Sequence, residues 1–182
     1  MRVVGGNWRG KPLRAPKGNE TRPTTDRTRE ALFSMLSSRL DFDNLRVLDL
    51  FAGTGALGLE ALSRGASFCL FVETQAPARA AIRDNVETCH ATGHSKIFRR
   101  DATKLGPCTG GGAYDLVFAD PPYRQGLGDQ ALAALLQGGW LSEAALVIVE
   151  EDKRANFRVP PGFNELERRL KSDTELIFCT PS

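Results

Sequence analysis

The chain has 182 residues, 41% of them hydrophobic and 25% charged, with a formal net charge of +2, which is enough apolar material for one sizeable core. No apolar stretch approaches the length of a membrane span, and Cys69, Cys89, Cys108 and Cys179 form no C-x-x-C pair, which argues against a zinc site and a disulfide scaffold. The start, M-R-V-V-G-G-N-W, has no signal-type apolar core, so a soluble, cytoplasmic protein in a reducing compartment is expected.

The charge is unevenly spread: residues 1–30 carry net +5 and the remainder −3. A basic extension ahead of a mildly acidic body is the pattern of a polyanion-binding arm, and the plainer alternative is a solvated tail. The opening run R-V-V-G-G-N-W-R-G-K-P-L-R reads as a β-hairpin or arm broken by Gly5, Gly6 and Gly10. A helix over 26–40 follows, entered through a Pro/Thr/Asp cluster, with Ala31, Leu32, Leu36 and Leu40 at helical spacing.

From there strand and helix signals alternate. Strands are predicted over 46–51, 68–73, 96–101, 114–120 and 145–151, and helices over 56–65, 76–90 and 129–139. The strands are apolar without period-two alternation, which implies a parallel sheet covered on both faces. The tail breaks the rhythm and reads as two strands around a turn at 171–173, an antiparallel hairpin on the sheet edge. The glycine-rich loop 106–113 fits no known pattern. Two units are expected, a basic arm over 1–22 and a catalytic domain over 23–182.

In such sheets ligands bind at the carboxyl ends of the strands, where strand order reverses. That rule points to 49–58, Glu73, Asp101 and 120–123. Gly53, Gly55 and Gly58 match G-x-G-x-x-G, and Glu73 follows at the separation of a ribose-binding acid. Asp49 would repel a pyrophosphate at this turn, whereas S-adenosylmethionine brings a sulfonium and an ammonium that an acid attracts. Asp49 could instead cap a loop. Asp101 could accept from an adenine amine or simply form a turn.

The quartet Asp120, Pro121, Pro122 and Tyr123 ends a buried strand. An exocyclic base amine is a poor nucleophile, and a site that methylates it must hold the nitrogen in line and accept its hydrogens. Asp120 and the Pro121 carbonyl supply acceptors, the prolines fix their direction, and Tyr123 offers a face for a flipped base. Alone, the quartet is also an Asp-Pro turn. His90 and His94 lack a partner carboxylate and read as helix-end residues, and methyl transfer from a sulfonium requires no metal.

The segments L-D-L-F-A-G-T-G-A-L-G and D-P-P-Y resemble motifs of class I S-adenosylmethionine-dependent methyltransferases. Taken with R-V-V-G-G-N-W-R-G-K-P-L and R-P-T-T-D-R-T-R-E-A-L-F-S-M-L, they resemble the bacterial RsmD family, which methylates the N2 amine of a guanine in 16S ribosomal RNA. The resemblance implies a Rossmann-like sheet of seven strands with an antiparallel last strand, plus an RNA-gripping N-terminal hairpin. It assigns cofactor contacts to Asp49, Gly53, Gly55, Glu73 and Asp101, base contacts to Asp120, Pro121 and Tyr123, and a place near both to Thr24, Asp26 and Arg27. S-adenosylhomocysteine would be the product, and the partner 16S rRNA, in a small-subunit assembly particle with bound ribosomal proteins, met by a monomer.

Arg9, Lys11 and Arg14 agree with such a partner, with Trp8 among them as a stacking platform or as a staple to the body. Three other readings remain: an adenine-N6 methyltransferase, a nicotinamide oxidoreductase using the glycine turn, and a noncatalytic RNA-binding protein. Asp49 and the lack of an acid-base histidine argue against the second, the full set of acids against the third.

Overall fold

One seven-stranded sheet organises the chain in a computed structural model that describes residues 1–17, 24–123 and 125–182. The expected boundary at 22/23 lies outside these, as do Arg22 and Pro23 of the R-P-T-T-D motif. Helix α1 (Asp26–Ser37) precedes β1 (Arg46–Leu50), α2 (Ala56–Ser63), β2 (Phe68–Val72), α3 (Ala76–Thr88) and β3 (Ser95–Phe98). Then come β4 (Tyr114–Ala119), α4 (Leu127–Gly138), β5 (Leu141–Asp152), β6 (Phe163–Lys171) and β7 (Thr174–Pro181). The strand order is β3-β2-β1-β4-β5-β7-β6, with β1 to β5 mutually parallel and β7 antiparallel to both its neighbours. No helix of the described residues is long and apolar enough to cross a membrane.

Register decides where the chemistry lies. Phe98, Val72, Leu50, Ala119 and Val149 pair across the five parallel strands, so Glu73, Phe51 and Asp120 leave their strands at one level, which is also the level of Glu150 within β5. Strand order reverses between β1 and β4, opening the crevice in which such folds bind ligands. Side chains alternate between faces. Asp49 and Glu73 are therefore in phase with Phe71, and Asp120 with Phe118, on the face that also holds Val47, Leu116 and Ile148.

That face is covered by α1 and α2, and Ile82 and Val86 of α3 join it. Helix α1 buries Arg29, Leu32, Phe33 and Leu36 at helical spacing, and the Phe33 ring lies 5.7 Å from Phe118 and 5.6 Å from Phe42. Thr25 caps it, accepting from Thr28 N at 3.2 Å. The opposite face, with Leu48, Leu70, Val117 and Val147, is covered by Ala131, Leu132 and Leu135 of α4, by Leu105 and by Trp140. The glycine-rich loop belongs to this side: Trp140 Nε1 donates to Gly106 O at 2.8 Å, and Cys108 N to Gly138 O at 2.8 Å. Its contacts lie before β5, and Gly111 adjoins Arg46 at the start of β1, so it sits at the amino ends of the strands, away from the crevice.

The N-terminal hairpin forms as short antiparallel pairing, Val3 N to Lys11 O at 2.9 Å and Leu13 N to Met1 O at 2.8 Å, around a 3-10 turn at Gly6–Trp8. It has no core of its own. Val3 and Leu13 are buried in the same cluster as Leu32, Phe33 and Leu59, with half-buried Trp8 packed alongside, which is the staple reading of that tryptophan. Buried polar side chains of the body grip its backbone: Val4 N donates to Glu60 at 3.0 Å, and Trp8 N to Ser63 Oγ at 2.9 Å.

Candidate active site

The chain leaves β1 through Phe51, at φ +54°, and turns through Gly53 (φ +58°) into Gly55 (φ +77°), the N-cap of α2. Left-handed backbone at both glycines explains the residue choice. Gly58 is required for another reason: a Cβ there would lie 2.5 Å from Cys69 Sγ and from Phe71 Cε1, so α2 can pack on β2 only with hydrogen at that position.

The amides that would hold a phosphate in a dinucleotide fold are here taken by carboxylates. Gly53 N donates to Glu73 Oε2 at 2.9 Å, and Gly58 N donates to Asp49 Oδ2 at 3.0 Å. Glu73 Oε1 also accepts from Gln75 N at 2.9 Å. Asp49 is 2% exposed, and burial, aided by the nearby Glu73 charge and opposed by the Gly58 bond, pushes its carboxyl up to about 8. The turn thus combines acidic groups with saturated amides, an environment that favours a cation and disfavours a pyrophosphate.

Beside it, a cavity of about 160 Å³ is lined by Asp120 and Tyr123 past β4, Glu150 of β5, Thr24, Thr25 and Thr28 at the start of α1, and Lys171 to Thr174 of the β6–β7 turn. Asp120 keeps partial exposure at the cavity wall. Its carboxyl is nevertheless pushed well above the ordinary range, first by desolvation and then by Glu150, Asp49 and Glu151. Asp49 pairs with Phe118 in the β1–β4 register, two residues before Asp120 on the same face, so the glycine turn and the cavity adjoin. Pro121 is buried, Pro122 exposed and Tyr123 half-buried.

The expected residues therefore fall into groups. Asp49, Gly53, Gly55 and Glu73 meet at the turn; Thr24, Asp120 and Tyr123 meet at the cavity. Asp101, three residues past the end of β3, is exposed, with Oδ1 accepting from Thr103 N at 2.8 Å and Thr103 Oγ1 at 2.7 Å, bonds that lower its pKa. Arg9 and Arg14 project from the N-terminal segment, Lys11 Nζ donates to Thr88 O at 3.1 Å, and Arg27 is exposed on the first turn of α1. Asp26 pairs with Arg29 at 2.6 Å rather than facing the cavity alone.

Three contributors are not among the expected site residues, although the turn at 171–173 is itself expected. Glu150 and the Lys171–Thr174 turn reach the cavity through the antiparallel register of β5 with β7, which no local pattern encodes. Arg29, fully buried, donates to Thr24 O at 3.2 Å and so holds the segment that lines the cavity; burial pushes its pKa down against the pull of Asp26 and then Glu60. Among the described residues, no three His, Cys, Asp or Glu side chains are grouped so as to hold a metal.

Comparison with known proteins bears on this geometry. The family model described as Conserved hypothetical protein 95 matches residues 1–180. The Ribosomal RNA small subunit methyltransferase D of Escherichia coli K12 is 36% identical over 168 residues, covering 92% of this chain and 83% of that protein. The solved structure of yhhF from Escherichia coli superposes with a TM-score of 0.83 at 30% identity, covering 100% of this chain and 97% of the other. At 17% identity, the magnesium protoporphyrin IX methyltransferase of Synechocystis PCC 6803, solved with bound SAM, shares the fold with a TM-score of 0.67 over 86% of this chain and 79% of its own.

Proposed function

Because this chain belongs to the family described as Conserved hypothetical protein 95, we propose that it is a small-subunit ribosomal RNA methyltransferase that methylates the exocyclic N2 amine of a guanine, with S-adenosylmethionine as donor. The methyltransferase class rests on the family and the fold. The RNA substrate rests on the small-subunit rRNA methyltransferase relative at 36% identity. The donor rests above all on one observation, that carboxylates already occupy the Gly53 and Gly58 amides.

A dinucleotide phosphate would have to displace a carboxylate from each amide, against like charge. A sulfonium with an ammonium group instead gains from Asp49, and the carboxylate oxygens of Glu73 retain lone pairs for ribose hydroxyls. The donor supplies an electrophilic methyl group and leaves as the neutral thioether S-adenosylhomocysteine. The chain's own residues do the rest. Asp120, as carboxylate, accepts an N–H of the guanine amine, which keeps electron density on nitrogen as the N–C bond forms and takes up the proton released. The Pro121 carbonyl holds the second hydrogen, and Tyr123 stacks on the extruded base, a contact worth about 1–3 kcal/mol.

Burial, and after it the charges of Glu150 and Asp49, raise the proton affinity of Asp120, which suits it to receive that proton. Arg9, Lys11, Arg14 and Arg27 meet RNA phosphates, with the N-terminal segment as the RNA-gripping unit. The small extent of chain outside the sheet fits a monomer that reads an assembly particle, where RNA shape and bound ribosomal proteins add specificity. Calorimetry tests the donor: S-adenosylmethionine should bind and NAD should not, and the reverse would end the proposal. Ribosomal RNA from a strain lacking the protein should lose one N2-methylguanosine; loss of N6-methyladenosine instead would move the target to adenine.

A further inference from the structure

Asn85 sits in the last turn of α3, 1% exposed, with Ala81, Ile82 and Val86 buried around it. Asparagine is a poor helix former, and a buried amide is costly unless bonded. Here the amide is filled. Oδ1 accepts from Arg14 N at 2.7 Å, while Nδ2 donates to Arg14 O and to Thr54 O, each at 2.9 Å. The pair of bonds to Arg14 copies what a neighbouring strand would offer its backbone. The third bond ends inside the glycine turn, on the carbonyl between Gly53 and Gly55.

Other contacts seat the same N-terminal segment. Glu60 takes Val4 N, Ser63 takes Trp8 N, and Arg29 and Asp26 hold the backbone of Arg2. These come from α1 and α2. Asn85 alone among these seat residues also bonds to the glycine turn through its side chain. No other side chain meets both demands: aspartate lacks the two donors, an aliphatic residue lacks all three bonds, and the extra methylene of glutamine would move the amide off both carbonyls.

We infer that Asn85 is a positioning residue that couples engagement of RNA by the N-terminal segment to the conformation of the cofactor turn. The inference rests on the function proposed above, in which the segment bearing Arg9, Lys11 and Arg14 meets RNA and the turn meets the donor. RNA that fixes the backbone at Arg14 holds the Asn85 amide, and the amide holds Thr54. By linkage the coupling is reciprocal, so bound cofactor tightens RNA binding by the same factor.

The test uses the full chain, S-adenosylhomocysteine as a non-reacting probe, and 16S ribosomal RNA from a strain lacking this protein. Equilibrium dialysis gives the dissociation constant with and without saturating RNA. In the native protein RNA should tighten the probe at least about fivefold, and in Asn85→Asp, checked for folding by its thermal melt, that ratio should fall to within about twofold of one. A second variant probes the link from the N-terminal segment: Arg14→Pro removes the N–H that Asn85 Oδ1 accepts and should lose the ratio as well. A native ratio of one, or a preserved ratio in Asn85→Asp or in Arg14→Pro, would overturn the inference while leaving the proposed function standing. Failure of the probe to bind at all would overturn both.

Discussion

Replacing Asp49 with asparagine should stabilise the fold and damage the cofactor site at once. Asparagine keeps an acceptor for Gly58 N and removes a buried acid whose pKa lies at about 8. In the native protein the folded form holds its proton while the unfolded chain ionises near pH 4. Stability from this group is therefore complete below about pH 4, falls by up to ~1.4 kcal/mol per pH unit, and levels above about pH 8. Urea melts of Asp49→Asn should lack that slope, leaving the variant more stable by about 1–4 kcal/mol at pH 7, the upper figure being the whole work of keeping the acid protonated.

Cofactor binding should move the other way. Loss of a charge-assisted contact to the sulfonium or ammonium is worth about 1.5–3 kcal/mol, or roughly ten- to 150-fold in affinity. The native protein must also release the Asp49 proton to bind, so its affinity should rise with pH up to about 8 and flatten above. Calorimetry of S-adenosylmethionine in buffers of different ionisation enthalpy reads that proton directly. Parallel stability curves in native and variant protein would mean that Asp49 is not held protonated in the fold, and unimpaired binding by the variant that its charge does not meet the donor.

Asp120→Ala should abolish turnover and leave cofactor affinity nearly intact; equal loss of both would assign Asp120 to the cofactor. Because its carboxyl is pushed well above the ordinary range, kcat/KM of the native enzyme should climb through a limb lying well above about pH 4, and a flat profile would contradict its role as acceptor. Gly58→Ala should destabilise by about 1–3 kcal/mol in a urea melt, since the new methyl group meets Phe71 and Cys69. Replacing Arg9, Lys11 and Arg14 by alanine should weaken RNA binding and reduce the slope of log affinity against log salt by roughly 0.7 per lost phosphate contact, with cofactor affinity unchanged.

Much of this was readable in the chain because the demands are local. Alternating apolar runs and helical spacing predict the seven strands and four α-helices of the described residues, with shifts only at their ends. The first helix stops at Ser37 rather than Leu40, although Leu40 still packs on the core. Strand β5 begins at Leu141 because Leu-Ser-Glu-Ala, weak as a strand on its own, is carried by pairing with Tyr114. The glycine turn was legible since positive φ and close packing each admit little but glycine. Glu150, Arg29 and Asn85 were not. An acid in a strand, an arginine in a first turn and an asparagine in a helix all read as surface residues, and only the crossing of distant segments buries them or turns them toward a site.

In the proposed reaction a cationic methyl donor at the acid-lined turn meets an amine held by Asp120. Its most direct measurement is mass spectrometry of nucleosides from undermethylated 16S rRNA or small-subunit particles incubated with the protein and methyl-labelled S-adenosylmethionine. The label should appear as N2-methylguanosine with native protein and vanish with Asp120→Ala. Label on another atom, or equal label with the alanine variant, would contradict the account.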